Sequence, residues 1–159
     1  MPTPPSFDYI YMQLARQLAQ RSHCIKKQVG AVLTQHNRAV ATGYNGPPEG
    51  TYNCDTQWPQ QGCPRSARGG CSLALHAEHN AILFALQHGV QLRGSTLYVT
   101  LAPCLACARI IFSVGIARVL YVDSYAQFKG LDAEEGLHFL QAFHVQTAQY
   151  PAAASDLTR

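Results

Sequence analysis

Two short segments carry the residues best suited to chemistry: His76-Ala77-Glu78 and Pro103-Cys104-Leu105-Ala106-Cys107. The cysteines are three apart, which on a helix puts both sulfurs on one face, one turn from each other. In a first turn the helix dipole favours anions, and so favours the thiolates a soft metal needs. His76 opens the neighbouring segment and supplies a third ligand. One imidazole and two thiolates leave a corner of a zinc tetrahedron free for water, which marks a reactive site rather than a structural one. Zinc lowers the pKa of such a water from about 16 to about 7. Glu78, two residues past the histidine, would stand near that water without ligating, where a proton shuttle belongs. The pair of cysteines taken alone also fits buried thiols or a redox motif. The redox reading lacks an early thioredoxin-like βα unit, and both half-motifs open predicted helices.

These residues need elements to hold them. Phe7, Ile10, Tyr11, Leu14 and Leu18 recur at helical spacing behind a Ser6 cap. Cys24 is placed at the end of that helix. Val29 to Thr34 and Arg38 to Tyr44 read as strands of a hairpin turning at His36-Asn37. Asn45 to Leu75 is a connector rich in Gly, Pro and Cys, and its length calls for a function or an internal staple. His76 to His88 reads as a helix closed by Gly89, and Ser95 to Thr100 as a strand. Pro103 suits the first turn of a helix running to Val114. Ala117 to Val122 is a strand, Leu131 to Ala142 a helix, and Phe143 to Thr147 a final strand. The order αββαβαβαβ implies one mixed sheet with helices on its faces.

The 159 residues suit one domain, taken as 6–148, with 149–159 as a flexible tail. Hydrophobic residues at 47% against 13% charged exclude a disordered chain. A net charge of +3 lacks the dense basic stripe of a general nucleic-acid binder and better fits a small anionic substrate. No apolar run reaches the length of a membrane span, and the start lacks the charged and apolar regions of a signal peptide. A cytoplasmic location is the expectation. In that reducing setting six cysteines read as metal ligands or buried thiols rather than disulfides.

His-x-Glu followed by Pro-Cys-x-x-Cys is the signature of zinc nucleobase deaminases. The chain resembles the cytidine/deoxycytidylate deaminase superfamily over about residues 6 to 148, and most its deoxycytidylate branch. The matching stretches are Arg21-Ser22-His23-Cys24, Val29-Gly30-Ala31-Val32, Thr42-Gly43-Tyr44-Asn45-Gly46, Cys54-Asp55, His76 to Ile82, and Leu97-Tyr98-Val99-Thr100. The resemblance implies a three-layer α/β/α sandwich around a five-stranded mixed sheet. It implies hydrolytic deamination of dCMP to dUMP, with Zn2+ on His76, Cys104 and Cys107 and with Glu78 moving protons. It implies a homo-oligomer, often a hexamer, and dCTP and dTTP as effectors accompanied by Mg2+. Asn45 matches the residue that holds the sugar, though a turn residue between glycines reads equally well. Ala77 would offer its N–H to the base carbonyl. Lys26 matches a position that binds the phosphate, against the alternative of a solvated lysine beside Lys27. Tyr125 would stack on or gate the nucleotide, or be an exposed loop tyrosine. The chain departs from several regulated relatives at Gln87, where they carry a basic residue. Arg65 and Arg68 lie in the variable insertion and take no role by resemblance.

Cys24, Cys54, Cys63 and Cys71 remain. They read either as a second, structural Zn2+ site, with His23 or a water able to replace one of them, or as free thiols. Three other functions stay in view: deamination of another cytosine nucleotide or nucleoside, deamination of a base in RNA, and a non-catalytic zinc module that binds nucleotides. Twelve Lys and Arg argue against RNA, where phosphate contacts dominate affinity. An unligated acid beside an open zinc corner argues against the passive module.

Overall fold

Successive residues of a strand face opposite sides of a sheet, and this alternation decides the layers. Ala31 and Leu33 join one buried cluster and Val32 the other; Leu97 and Val99 oppose Tyr98; Val119 opposes Leu120 and Val122. Each of these three strands carries apolar side chains on both faces, which demands helices on both faces. The computed structural model describes residues 3–60, 63–67, 70–124 and 134–151.

The elements are α1 (Phe7–Ala19), β1 (Gly30–Gln35), β2 (Arg38–Tyr44), α2 (Cys54–Gln57), α3 (Ala77–Gln87), β3 (Thr96–Leu101), α4 (Leu105–Ser113), β4 (Arg118–Asp123), α5 (Glu135–Ala142) and β5 (Gln146–Gln149). The sheet order is β2-β1-β3-β4-β5. β1 runs antiparallel to β2 and β3, whereas β3, β4 and β5 are parallel. α1 covers one face through Tyr11, Met12 and Ala15. α3, α4 and α5 cover the other through Ala81, Ile82, Ala108, Ile111 and Leu140. This is the three-layer α/β/α sandwich with a five-stranded mixed sheet.

Local chemistry explains the element ends. Ser6 Oγ accepts from the Tyr9 N–H at 3.1 Å and starts α1. His36 and Asn37 both have positive φ, 49° and 56°, as a two-residue hairpin turn matched to strand twist requires. Gly89 closes α3 at φ 71°, where Val90 N donates to Ala85 O at 2.9 Å. Asp8 accepts from both terminal nitrogens of Arg118, at 2.9 and 2.7 Å, and from the Tyr98 hydroxyl at 2.7 Å, tying α1 to β3 and β4. The Arg118 guanidinium holds the Asp8 carboxyl below its ordinary pKa.

Several expected boundaries move. α1 ends at Ala19, so Cys24 lies in the coil beyond it rather than at the helix end. Cys104, not Pro103, caps α4, and Pro103 stands one residue before the cap. β5 begins at Gln146 instead of Phe143, because Phe143 to Val145 are used in ending α5: His144 has φ 60° and Val145 N returns to Leu140 O at 2.9 Å. The chain stays with the fold past residue 148. Gln149 belongs to β5, Tyr150 is buried under α1, and Arg16 donates to Pro151 O at 3.2 Å. The connector contains α2 and two isolated bridges, Gly46 with Leu75 and Arg65 with Cys71. Tyr125, Arg68 and the first three residues of the expected helix at 131–142 lie outside the described residues.

Candidate metal centre and cleft

Ligands bind open α/β sheets beyond the carboxyl ends of parallel strands. Here β3 runs through Leu101 and Ala102 into Pro103 and Cys104, and β4 ends at Asp123. Ala102 N donates to Asp123 O at 2.8 Å and holds the two ends together. α3 arrives at the same place because Gly43 lets its first turn press onto β2: a Cβ on Gly43 would lie 2.4 Å from Ala77 O. Asn80 Nδ2 donates to Tyr44 O at 2.7 Å and fixes the rotation of the helix.

His76 and Cys104 are the N-cap residues of α3 and α4, and neither side chain caps its helix. A cap normally satisfies free N–H groups of the first turn; these two side chains turn toward each other instead. His76 Nδ1 lies 3.5 Å from Cys104 Sγ and 3.2 Å from Cys107 Sγ, and all three donor atoms fall within 4.8 Å of one another. Tetrahedral zinc, with Zn–N about 2.0 Å and Zn–S about 2.3 Å, places such nitrogen and sulfur atoms about 3.5 Å apart. The donor set therefore fits zinc in type and spacing. Its electrostatics also call for a cation. Hydrogen bonding from Cys107, then from His76, pulls the Cys104 thiol down to about 3. The same contact with Cys104, together with burial, drives Cys107 upward. The bond to Cys104 raises His76 to about 9. A cation bound among the three donors would stabilise both sulfurs as thiolates at once.

Glu78 is 4% exposed, and burial raises its carboxyl to about 7. It shares with His76, Ala77, Asn45, Lys26 and Lys27 a cleft of about 480 Å³. Ala77 is fully buried in the first turn of α3, where backbone N–H groups have no intrahelical acceptor. Asn45 is 8% exposed and already committed: Oδ1 accepts from Val29 N at 2.7 Å and Nδ2 donates to Lys27 O at 2.8 Å. One N–H and one lone pair remain. Lys27 Nζ stands 3.2 Å from Asp123. That pair was not singled out in the sequence, although an acid at the carboxyl end of a parallel strand was a usable signal.

A second cluster joins Cys54, Cys63 and Cys71, again with donor atoms within 4.8 Å. Cys54 Sγ and Cys71 Sγ are 4.0 Å apart. Burial, then Cys71, pushes Cys54 up to about 12. Cys71 moves the other way: burial opposes ionisation, but hydrogen bonds from the Ala74 and Leu73 N–H groups and from Cys63 and Cys54 together outweigh it. Cys24 is not within the 4.8 Å set. His23 is outside that set as well, and its Nδ1 lies 2.7 Å from Asp55 Oδ2. Gln87 and Arg21 line a separate groove of about 740 Å³ along α3.

Residues 5–123 match the zinc-binding region of the cytidine and deoxycytidylate deaminases. The deoxycytidylate deaminase of Schizosaccharomyces pombe is 40% identical over 153 residues, which cover 92% of this chain and 44% of that protein. The deoxycytidylate deaminase of Mycobacterium phage D29 is 40% identical over 129 residues, 74% of this chain and 94% of that protein. The crystal structure of the dCMP deaminase of cyanophage S-TIM5 in complex with dCMP and dUMP superposes with a TM-score of 0.75 at 27% identity, covering 93% of this chain and 99% of that one. The chain spans less than half the length of the Schizosaccharomyces pombe and Saccharomyces cerevisiae relatives, 44% and 39%. Sequence likeness over three quarters of the chain and a shared fold over nearly all of it agree with the geometry, and the chain belongs to the cytidine and deoxycytidylate deaminase family.

Proposed function

We propose that this chain is a zinc-dependent hydrolase that converts dCMP and water to dUMP and ammonia, with His76, Cys104 and Cys107 holding the metal and Glu78 carrying protons. The observation behind the reading is a buried carboxylate beside a three-donor cluster at the floor of a nucleotide-sized cleft. The names of the yeast and phage relatives point to the same substrate.

Bound zinc supplies Lewis-acid activation of a water molecule. The Glu78 carboxylate accepts a proton from that water, delivers it to N3 of the cytosine, and passes another to the amine leaving C4. Its burial suits it to both roles at neutral pH, since a carboxyl near 7 holds and releases a proton with similar ease. The Ala77 N–H donates to the base carbonyl. The remaining N–H of Asn45 meets a sugar hydroxyl, in an orientation already set by Val29 and Lys27. Lys26 at the cleft wall meets the phosphate, because the charge of Lys27 is offset by Asp123. Tyr125 keeps the stacking role that the resemblance implies.

The wider reading is one deaminase domain with a second Zn2+ on Cys54, Cys63 and Cys71. A water or a moved Cys24 would complete that site. The groove along α3 is large enough for a dCTP or dTTP effector with Mg2+. Exposed Leu83, Phe84 and Leu86 on α3, and Phe112 on α4, offer apolar side chains suited to contacts in a homo-oligomer, a hexamer in the fullest form. No described helix is long and apolar enough to cross a membrane. A cytoplasmic location is part of the proposal.

The test offers zinc-loaded protein dCMP, dCTP, deoxycytidine, cytidine and a stem-loop RNA, and follows ammonia. Release from dCMP foremost is expected. Release from RNA alone would sink the nucleotide reading, and none from any substrate would favour a binding module.

A further inference from the structure

Gly136 is buried in the first turn of α5. A Cβ added there would lie 2.0 Å from Pro103 O, 2.7 Å from the Cys104 carbonyl carbon and 2.9 Å from its oxygen. All three are backbone atoms, which cannot swing aside as a side chain can. Gly30 and Gly43 make comparable approaches, but they bring the β1 and β2 backbones against α1 and α3. Gly136 instead seats a helix on the turn that carries a metal donor.

We infer that Gly136 is a positioning residue: it lets α5 press directly on the Pro103–Cys104 backbone and thereby sets where the Cys104 sulfur stands. This rests on the reading of His76, Cys104 and Cys107 as a zinc site. The two sulfurs differ in what holds them. Cys107 is fully buried inside α4 and belongs to the core cluster. Cys104 is half-buried at the N-cap, with no side-chain cap bond. The strand restrains it from one side, through Ala102 N to Asp123 O, and the helix from another, through Ala108 N to Cys104 O, both at 2.8 Å. The remaining backbone side is closed by α5, which is anchored by buried Leu137 and Leu140 and by Phe139 against Phe112. An alanine at 136 would force the helix or the turn back by about 1 Å, enough to misplace a donor atom.

The test compares the wild-type chain, Gly136→Ala and Met12→Ala. Met12 is fully buried under α1 on the opposite face of the sheet, so its truncation reports destabilisation without contact with the turn. Zinc affinity is read by competition with a chromophoric chelator, and donor geometry by the sulfur-to-metal charge-transfer band after cobalt(II) substitution. Gly136→Ala is expected to weaken zinc about 10- to 100-fold and to alter that band. Met12→Ala should lower the melting temperature while leaving both readouts near wild type. Wild-type affinity and spectrum in Gly136→Ala would overturn the inference. Should Gly136→Ala fail to fold, hydrogen exchange in the wild-type chain decides, because coupling is reciprocal. Removing zinc should speed exchange in α5 more than in α1, and equal or unchanged exchange would overturn the link. Absence of zinc from the wild-type chain would instead overturn the metal site itself.

Discussion

His76, Cys104 and Cys107 are delivered by the N-termini of two helices packed on one sheet, whereas Cys54, Cys63 and Cys71 come from the connector between β2 and α3. The donors are similar, but their foundations are not. The first cluster is held by core packing, by the close approach at Gly43 and by the Asn80 bond, so the surrounding fold fixes where its donors stand. Among the described residues, the second stands beside one four-residue helix, two isolated bridges and a few local hydrogen bonds. A metal there would order its own surroundings, since binding free energy becomes folding free energy. The contrast separates a cluster that the fold positions from one that a bound metal would have to order.

The largest expected effect comes from emptying the first cluster. Cys104→Ala should lose the metal and fall to background turnover, yet keep its far-UV circular dichroism and the protease resistance of residues 46–75. One tightly held zinc at His76 and Cys107 in that variant would contradict the donor set. Next, Glu78→Gln should retain zinc and bind dCMP while turnover drops roughly 10³-fold or more. Near-normal turnover would remove Glu78 from proton transfer. A smaller effect on activity but a larger one on structure is expected from Cys71→Ser. Zinc per chain should fall by one, the connector should be cut by proteases, and stability should drop by about 2–3 kcal/mol. Unchanged zinc content and proteolysis would turn the second cluster into plain buried thiols.

The smallest effect belongs to a contact remote from both clusters. Asp8→Asn weakens the bond of α1 to Arg118 and Tyr98, and for a partly exposed pair the cost is about 1 kcal/mol. Because Arg118 lowers the folded pKa of Asp8, its contribution is complete above the unfolded carboxylate pKa and is lost as pH falls through the folded value. Denaturant titrations of wild type and Asp8→Asn should therefore converge in acid and separate toward neutrality. A gap that widens in acid would reverse the sign of the linkage.

Much of this was legible in the residues. The alternation of β1, β3 and β4 and the helical spacing of Phe7 to Leu18 report burial that is periodic along the chain, and periodic burial is a local property. His76, Glu78, Cys104 and Cys107 stood out because metal chemistry restricts residue type and spacing together. Less could be read where long-range contacts choose. The apolar Phe143 looked like strand, but terminating α5 takes that residue. Asn45 was matched to the sugar-holding residue, but half of its side-chain bonding capacity serves Lys27 and Val29. Gln149 and Tyr150 looked like tail, though β4 and α1 bind them to the fold.

By itself the sequence determined the candidate donors, the candidate acid and the order of the elements apart from α2, because each follows from residue identity and spacing along one chain. Only the tertiary structure decided that the ends of β3 and β4 meet the start of α3, that Cys24 and His23 fall outside the 4.8 Å set of the second cluster, and that α5 bears on the turn at Cys104 through Gly136. Those are distances between segments remote in sequence. They are set by how closely backbones pack, which no run of neighbouring residues encodes.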